Sequence, residues 1–545
     1  MISRALLLVL VSGTVLTPLT GCKVGPDYAG PPTVQTPERF GALPDTREAD
    51  VTTLPGPGDA KLASWWKTLG DPTLDGLVDR ALQGNLDLRL AQARVREARA
   101  ARGITAADWF PTLDAGGGYS RSRASDNSVS GLGNQQPSEG VNQFTAGLDS
   151  TWEIDFWGRT SRGVEAADAV ISGAIESRRD VMVLLLAEVA RNYVDLRALQ
   201  ERLAVAQRSV RVQEDSLAIT QSRFTAGLVG ELDVAQARAQ LEVRRSQVPP
   251  IRAGIDQAIN RLSVLLGQPP RSLAGELVTP GALPKPPDAI SVGLPSELLQ
   301  RRPDIRAAER NLAAATARVG VATADLYPRF SISSALGLQS QEFGPLFNLS
   351  SRYWSVAPGV SWPILDWGKI RSNIDVQDAR VEQAMIQYER IVLASFEDVE
   401  SSLLTLVTEQ QRLGSLTRAV DAGNRAVQLA EDLYRTGNVD FRTVLENQRT
   451  LFDAEDAAVQ AKASALRSVI GLYKALGGGW ESTEQDLAAA AATTPSSTLD
   501  AVARSLRERR QGEASESTPT PATPQAEPTG ETSTNSPTPP APGSP

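Results

Sequence analysis

From Arg159 to Thr225 the chain runs 67 residues without a proline, and a helix over that stretch is roughly 100 Å long at 1.5 Å per residue. A compact globular domain has no room for such an element, so other long helices must cover its flank. Met182, Val189, Leu196, Leu203, Val210, Leu217 and Phe224 fall at every seventh position, the spacing at which helices pack side by side. Residues 369–435 carry the same stripe as Val392, Val399, Leu406, Leu413, Val420, Val427 and Tyr434. Each stretch ends in a short turn with glycine, Thr225-Ala226-Gly227 and Arg435-Thr436-Gly437, followed by a return helix to about Leu266 or Leu476. Pro249-Pro250 lies inside the first return helix and is expected to kink or break it.

The body is written twice. At a spacing of 210, Trp152, Ile154, Trp157 and Gly158 lie over Trp362, Ile364, Trp367 and Gly368, and Phe224, Gly227 and Leu241 over Tyr434, Gly437 and Leu451. Nearer the N-terminus the spacing becomes 217, matching Asp87, Gly103, Pro111 and Leu113 to Asp304, Gly320, Pro328 and Phe330. Two repeats, residues 61–270 and 291–480, therefore share one architecture, with 271–290 read as a linker.

Ahead of each long helix the apolar period changes from seven to two. Phe144, Ala146, Leu148, Trp152, Ile154 and Phe156 alternate with small or polar residues, and Leu113, Ala115, Gly117 and Tyr119 supply a hairpin partner within residues 111–156. The second hairpin, residues 328–366, repeats this with Phe330, Ile332, Ser334, Leu336 and Leu338, then Val356, Pro358, Val360, Trp362 and Ile364. Strands of about ten residues with one oily face and aromatics near their ends suit the wall of an outer-membrane barrel. Four strands cannot close one, since the minimum is about eight and open edges cannot face lipid. The chain must oligomerise if it spans; three copies would supply twelve strands and a ring of helices continuing below them.

Composition narrows the chemistry. The 545 residues include no histidine and one cysteine, Cys22, which excludes intrachain disulfides, His/Cys zinc sites and His-dependent nucleophilic catalysis. We therefore expect no enzyme, metal or cofactor. The net charge of −9 is mild, and we expect no nucleic-acid partner. Residues 1–21 read as a signal peptide: Arg4, the apolar run Ala5 to Leu19, then small residues. At 15 positions, and containing Pro18, that run is shorter than the ~20 apolar residues of a spanning helix. Leu19-Thr20-Gly21-Cys22 resembles a bacterial lipobox, which makes Cys22 the expected site of a covalent lipid, and Lys23 after it permits transfer to the outer membrane. Residues 22–60 are then a lipidated, extended N-terminal segment. At the other end, nine prolines in the 35 positions from Gln511 to Pro545 mark the end of 481–545 as a disordered Pro/Thr/Ser-rich tail.

Several ordered blocks resemble the TolC/OprM family of outer membrane efflux channels, in its lipoprotein (NodT-like) branch attached to resistance-nodulation-division pumps. They are Cys22-Lys23-Val24-Gly25-Pro26-Asp27-Tyr28, the run Arg301 to Glu309, Ala324-Asp325-Leu326-Tyr327-Pro328-Arg329-Phe330, and Leu472 to Trp480. The resemblance implies a mainly α fold with a membrane β-barrel: a homotrimer whose 12-strand barrel, four strands per chain, continues as a long periplasmic α-helical barrel. It implies an equatorial belt of chain ends and short helices. It also implies a periplasmic adaptor that docks on the hairpin tips, here Phe224, Gly227, Tyr434, Arg435 and Gly437, and joins them to an inner-membrane pump. Family members close the periplasmic end with a ring of acids, and the matching position, nine after Gly437, is Glu446. Thr443 stands where TolC-type members carry a second acid, and Arg442, four before Glu446, is a candidate to pair with it. Function in that family is passive conduction of small molecules. Two other readings stay open: a protein-secretion duct for an ABC exporter, and an envelope-spanning structural lipoprotein without a pore.

Overall fold

The computed structural model describes residues 23–41, 52–54, 62–123, 140–287, 289–292 and 294–481. The signal stretch, Cys22 and the Pro/Thr/Ser-rich tail lie outside the described residues. In chain order the main elements are β1 (Thr52–Leu54), α1 (Pro72–Gly84), α2 (Leu86–Ala107), β2 (Thr112–Ser122), β3 (Val141–Ile154), α3 (Arg159–Thr225) and α4 (Glu231–Leu265). They continue with α5 (Ala274–Leu277), β4 (Ala289–Ser291), α6 (Pro295–Arg301), α7 (Pro303–Ala324), β5 (Arg329–Ser340), β6 (Arg352–Ser361), α8 (Lys369–Arg435) and α9 (Phe441–Ala475). Both spacings read in the sequence reappear as element bounds. The long helices α3 and α8 have 67 residues each, the return helices α4 and α9 have 35, and the helices ahead of the hairpins, α2 and α7, have 22.

Local chemistry sets these bounds. Each long helix begins after a glycine in the left-handed region, and an aspartate side chain caps it. Asp155 accepts from the Thr160 and Ser161 amides at 3.0 and 2.8 Å, and Asp366 accepts from those of Gly368 and Ile370 at 3.0 and 2.8 Å. The donated N–H groups hold the Asp366 carboxyl below the usual carboxylate range. The expected break at Pro249-Pro250 does not occur: α4 runs through both prolines. The acceptors they leave without amide partners belong to Arg245 and Ser246, both solvent-exposed residues.

The four long strands form one antiparallel sheet in the order β2-β3-β5-β6, joining the two hairpins through β3 and β5. Its register places Trp152 opposite Ile332, Leu148 opposite Leu336 and Phe330 opposite Val360, so one face is apolar on all four strands. The last strand ends at Ser361, before Pro363. No helix among the described residues is long and apolar enough to cross a membrane.

The main core lies around the middle of the long helices, not near the sheet. Met182, Val189 and Leu196 of α3 and Val392, Val399 and Leu406 of α8 are at most 1 % exposed, whereas Leu203, Val210 and Leu217 further along α3 are half-buried. Shorter pieces make the difference: Trp65, Leu74 and Leu77 from one side and Leu277, Ile290 and Leu298 from the other pack onto this level. The stretch 271–290, expected to be a linker, is thus part of the belt: it supplies α5 and β4, and β4 pairs in parallel with β1. Its apolar positions are too few and too short to show a period, so only packing identifies it.

Candidate functional site

Three places along the long helices carry the functional geometry. At the sheet, among the described residues, β2 and β6 each pair on one side only, so each presents an open row of backbone donors and acceptors. The face opposite the apolar one holds Asp114, Gly116, Ser120, Thr145, Asp149, Ser331 and Ser333, all small or polar. Such a sheet fits between lipid and water, provided other strands satisfy its edges.

At the junction of sheet and helices, the residues that follow Cys22 are docked. The Val24 amide donates to the Trp157 carbonyl at 3.2 Å, and Lys23 packs on Gly158. Arg162, only 1 % exposed, reaches under this segment, donating to the carbonyls of Val24 and Gly25 at 3.1 and 3.3 Å and to Asp27 at 2.6 Å. A buried guanidinium with every branch occupied fixes a short chain segment firmly. Cys22 itself lies outside the described residues, but its neighbour Lys23 sits beside the aromatic cluster Phe156, Trp157, Tyr327 and Phe330 at the end of the sheet. Sequence reading missed Arg162. Its position was visible as a difference between the repeats, since Ser372 stands at the matching place.

The tips hold the third site. Gly227 and Gly437 turn the chain at φ 72° and 78°, with open space where a Cβ would stand. Leu228 and Asn438 close each turn by donating back to Arg223 and Leu433 at 2.9 Å, so both glycines supply the left-handed helix ending. The two aromatic tip residues differ. Phe224 is 45 % exposed, whereas Tyr434 is buried in a small cluster with Ala237, Ala430, Phe441 and Val444. Arg223 lies over the Tyr434 ring at 4.3 Å and donates to its carbonyl at 3.1 Å, clasping one hairpin to the other. Burial raises the Tyr434 hydroxyl above its ordinary pKa, partly offset by the Arg223 charge. A cleft of about 580 Å³ opens beside this clasp, lined by Val212, Ile219, Arg223, Tyr434, Arg435 and Phe441.

Glu446 lies one turn into α9 and is exposed. It pairs with Arg449 at 2.7 Å, not with Arg442, because the i,i+3 geometry brings the guanidinium of Arg449 over it. Thr443 serves the helix start: its amide and hydroxyl both donate to Asp440, at 3.0 and 2.7 Å, and hold that carboxyl below its ordinary range. Arg435 makes a 3.6 Å pair with Asp432 on its own helix. Between tip and belt, α3 and α9 are held by Arg202–Asp456, Lys462–Glu201 and Arg467–Asp195, and by a buried Gln213–Gln448–Glu431 chain. Among the described residues no cluster of His, Cys, Asp or Glu could hold a metal ion.

This geometry has known counterparts. The sequence model of the family described as outer membrane efflux protein matches residues 77–268 and 294–478, the two repeats without the intervening stretch. The pyoverdine export outer membrane protein OpmQ of Pseudomonas aeruginosa is 35 % identical over 79 % of this chain and 91 % of its own. The solvent efflux pump outer membrane protein SrpC of Pseudomonas putida is 34 % identical over 85 % of this chain and 96 % of its own. Among solved structures, the outer-membrane channel OprN superposes with a TM-score of 0.77 at 37 % identity, covering 84 % of this chain and all of that one. With its amphipathic sheet, long paired helices and doubled architecture, the chain belongs to the outer membrane efflux protein family and is the outer-membrane component of an efflux pump.

Proposed function

We propose that three copies assemble into one conduit, with twelve strands crossing the outer membrane and the helices of all copies enclosing a periplasmic duct. The observation that carries this reading is the four-stranded sheet: an apolar face on every strand and, among the described residues, two unpaired edges, a combination tolerable in lipid only when further copies close the ring. The chain performs no bond chemistry in this role. Substrate enters from an inner-membrane resistance-nodulation-division pump through a periplasmic adaptor that docks at the tips, where exposed Phe224 and Arg435 and the neighbouring cleft offer apolar and cationic contacts. Tyr434 supports that surface from within. Glu446, exposed on α9, contributes one carboxylate per copy to the periplasmic aperture, favouring cations there. Cys22 carries the lipid that anchors the N-terminal segment, and the Arg162 clasp holds that anchor at the sheet end of the helices.

Cargo does not follow from the fold. OpmQ and SrpC bear the names of different exported compounds at nearly equal identity to this chain, as expected where the pump selects and the conduit conducts. The test is the mass of the detergent-extracted complex by light scattering, with and without Cys22→Ala, followed by conductance in planar bilayers. Three chains per particle that still require detergent without Cys22, and that conduct, are expected. A soluble single chain on loss of Cys22 would overturn the conduit and favour the envelope-spanning spacer.

A further inference from the structure

The four helices that adjoin the sheet stand side by side in the order α2, α3, α7, α8. A pocket of about 570 Å³ touches all four, the first and the last included, so it opens on the concave side of the row. Two observations say which side that is. The segment after Cys22 lies on the other face of α7, where Gly25 approaches Gly320 and Tyr28 donates to Glu309 at 3.3 Å. Arg318, Ala322 and Asp325, which line the pocket, are about half a turn away from that face at ~100° per residue. At the sheet end of the pocket, Asp325 pairs with Arg329 at 2.6 Å and with Arg159 at 3.2 Å, and Arg159 also meets Glu153 at 3.8 Å. Arg329 and Glu153 alternate with Phe330 and Ile154 along their strands, so the pocket continues the polar face of the sheet.

The repeat makes the two walls of the pocket comparable, and they differ. The wall from α2 and α3 carries Ala98, Ala101, Gly163, Ala166, Ala167 and Val170. The facing wall, from α7 and α8, carries Arg318, Asn373, Gln377 and Arg380 around Val321 and Ala322. At the repeat spacings of 217 and 210, Arg318 stands for Ala101, Asn373 for Gly163, Gln377 for Ala167 and Arg380 for Val170. Both arginines are exposed; Arg380 donates to Gln377 at 3.3 Å, and among the described residues neither has a carboxylate partner. Helix packing does not require them, since Ala101 and Val170 fill the matching places on the opposite wall.

We infer that this pocket is a binding site for organic anions with a flat apolar body, such as aromatic carboxylates or sulfonates. The small side chains of α2 and α3 let a ring lie close to the helix backbones, and the two guanidiniums offer forked donors to its oxyanion. The volume suits one small molecule. The inference rests on the proposed duct for access to the site, and it adds a class of cargo that the duct retains in passage. The charge presented here is opposite to that of Glu446 at the far end of the helices.

Naphthalenesulfonate is the probe, measured by equilibrium dialysis against the full-length complex with equal detergent on both sides. Arg318→Gln combined with Arg380→Gln should weaken its binding about tenfold or more, because both charge-assisted contacts are lost. Arg371→Gln, an exposed arginine on the opposite face of α8 from Arg380, should leave binding unchanged. Methanesulfonate, with the charge but no ring, and naphthalenemethanol, with the ring but no charge, should be held no better by the wild type than by the double variant. Equal binding of naphthalenesulfonate by wild type and double variant, or an equal loss in Arg371→Gln, overturns the site. Light scattering on the same samples separates the two ideas. Three chains per particle with binding indifferent to Arg318 and Arg380 keep the duct and remove the site, whereas a single chain that binds through them keeps the site and removes the duct.

Discussion

The belt and the tip sit on the same four helices, yet they are built differently. At the belt, the stripe of α3 and α8 is sealed by Trp65, which stacks on Tyr473 at 5.3 Å, and by α1, α5 and α6. Even its buried cation is satisfied: Arg197 donates to the Tyr193 hydroxyl at 3.0 Å, to Gln200 at 2.8 Å and to the Thr279 carbonyl at 3.0 Å. At the tip the heptad stripe continues, but among the described residues no further element covers its outer side. Five buried residues, the Arg223–Tyr434 clasp and the polar chain through Gln448 hold the hairpins there. Apolar burial is cooperative and hard to undo in part, whereas exposed ion pairs and a thin core open locally at low cost. One helix can therefore be fixed at its middle and adjustable at its end, the division of labour an aperture needs.

Equal truncations at the two levels test this contrast most strongly. Leu196→Ala at the belt should destabilise by about 2–5 kcal/mol, seen as a lower thermal midpoint in detergent. Leu217→Ala, half-buried near the tip, should cost less than half as much and instead speed amide exchange in the helix ends around 217–227 and 430–445. Equal midpoint losses would erase the distinction.

A second test uses pH at the belt. Asp180 is pushed up to about 6 by burial and by the charge of Asp304, against the opposing pull of Arg302 and Lys474. Because its folded pKa lies above the unfolded value, the native state holds the extra proton between about pH 4 and 6, and stability falls as pH rises through that window. Asp180→Asn should gain at most about 2–3 kcal/mol at pH 7.5 and nothing near pH 4. A pH-independent difference would show that the carboxyl is not protonated in the fold.

Smaller effects belong to the tip. Gln448→Ala leaves the buried amide of Gln213 and the Glu431 carboxylate short of a partner, an expected loss of about 1–2 kcal/mol, with a larger mean conductance in bilayers if this chain restrains the aperture. Glu446→Gln should alter stability by less than about 0.5 kcal/mol, since its ion pair is exposed. It should nevertheless weaken cation preference in reversal-potential measurements. An unchanged preference would return Glu446 to the status of a solvated helix acid.

Much of this was legible in the residues. The period-seven stripes, the period-two strands and the left-handed turn glycines are local signals, and they set α3, α8, the sheet face and both tips within a residue or two. The belt was not legible. Leu273, Leu277, Leu283 and Ile290 are separate apolar residues in a stretch rich in proline, and their burial depends on helices supplied from far along the chain. The exchange of Arg442 for Arg449 as the partner of Glu446 depends on side-chain direction along one helix turn, which spacing alone leaves open. Tyr434 and Phe224 share a heptad position, and the burial of one and the exposure of the other depend on what faces them.

The sequence by itself determined the duplication, the lengths of the helices and the faces of the strands, because backbone periodicity and chain punctuation act over a few residues. Only the tertiary structure decided which faces are covered, which charges are paired and which edges stay open, because burial and pairing depend on groups brought together from hundreds of residues apart.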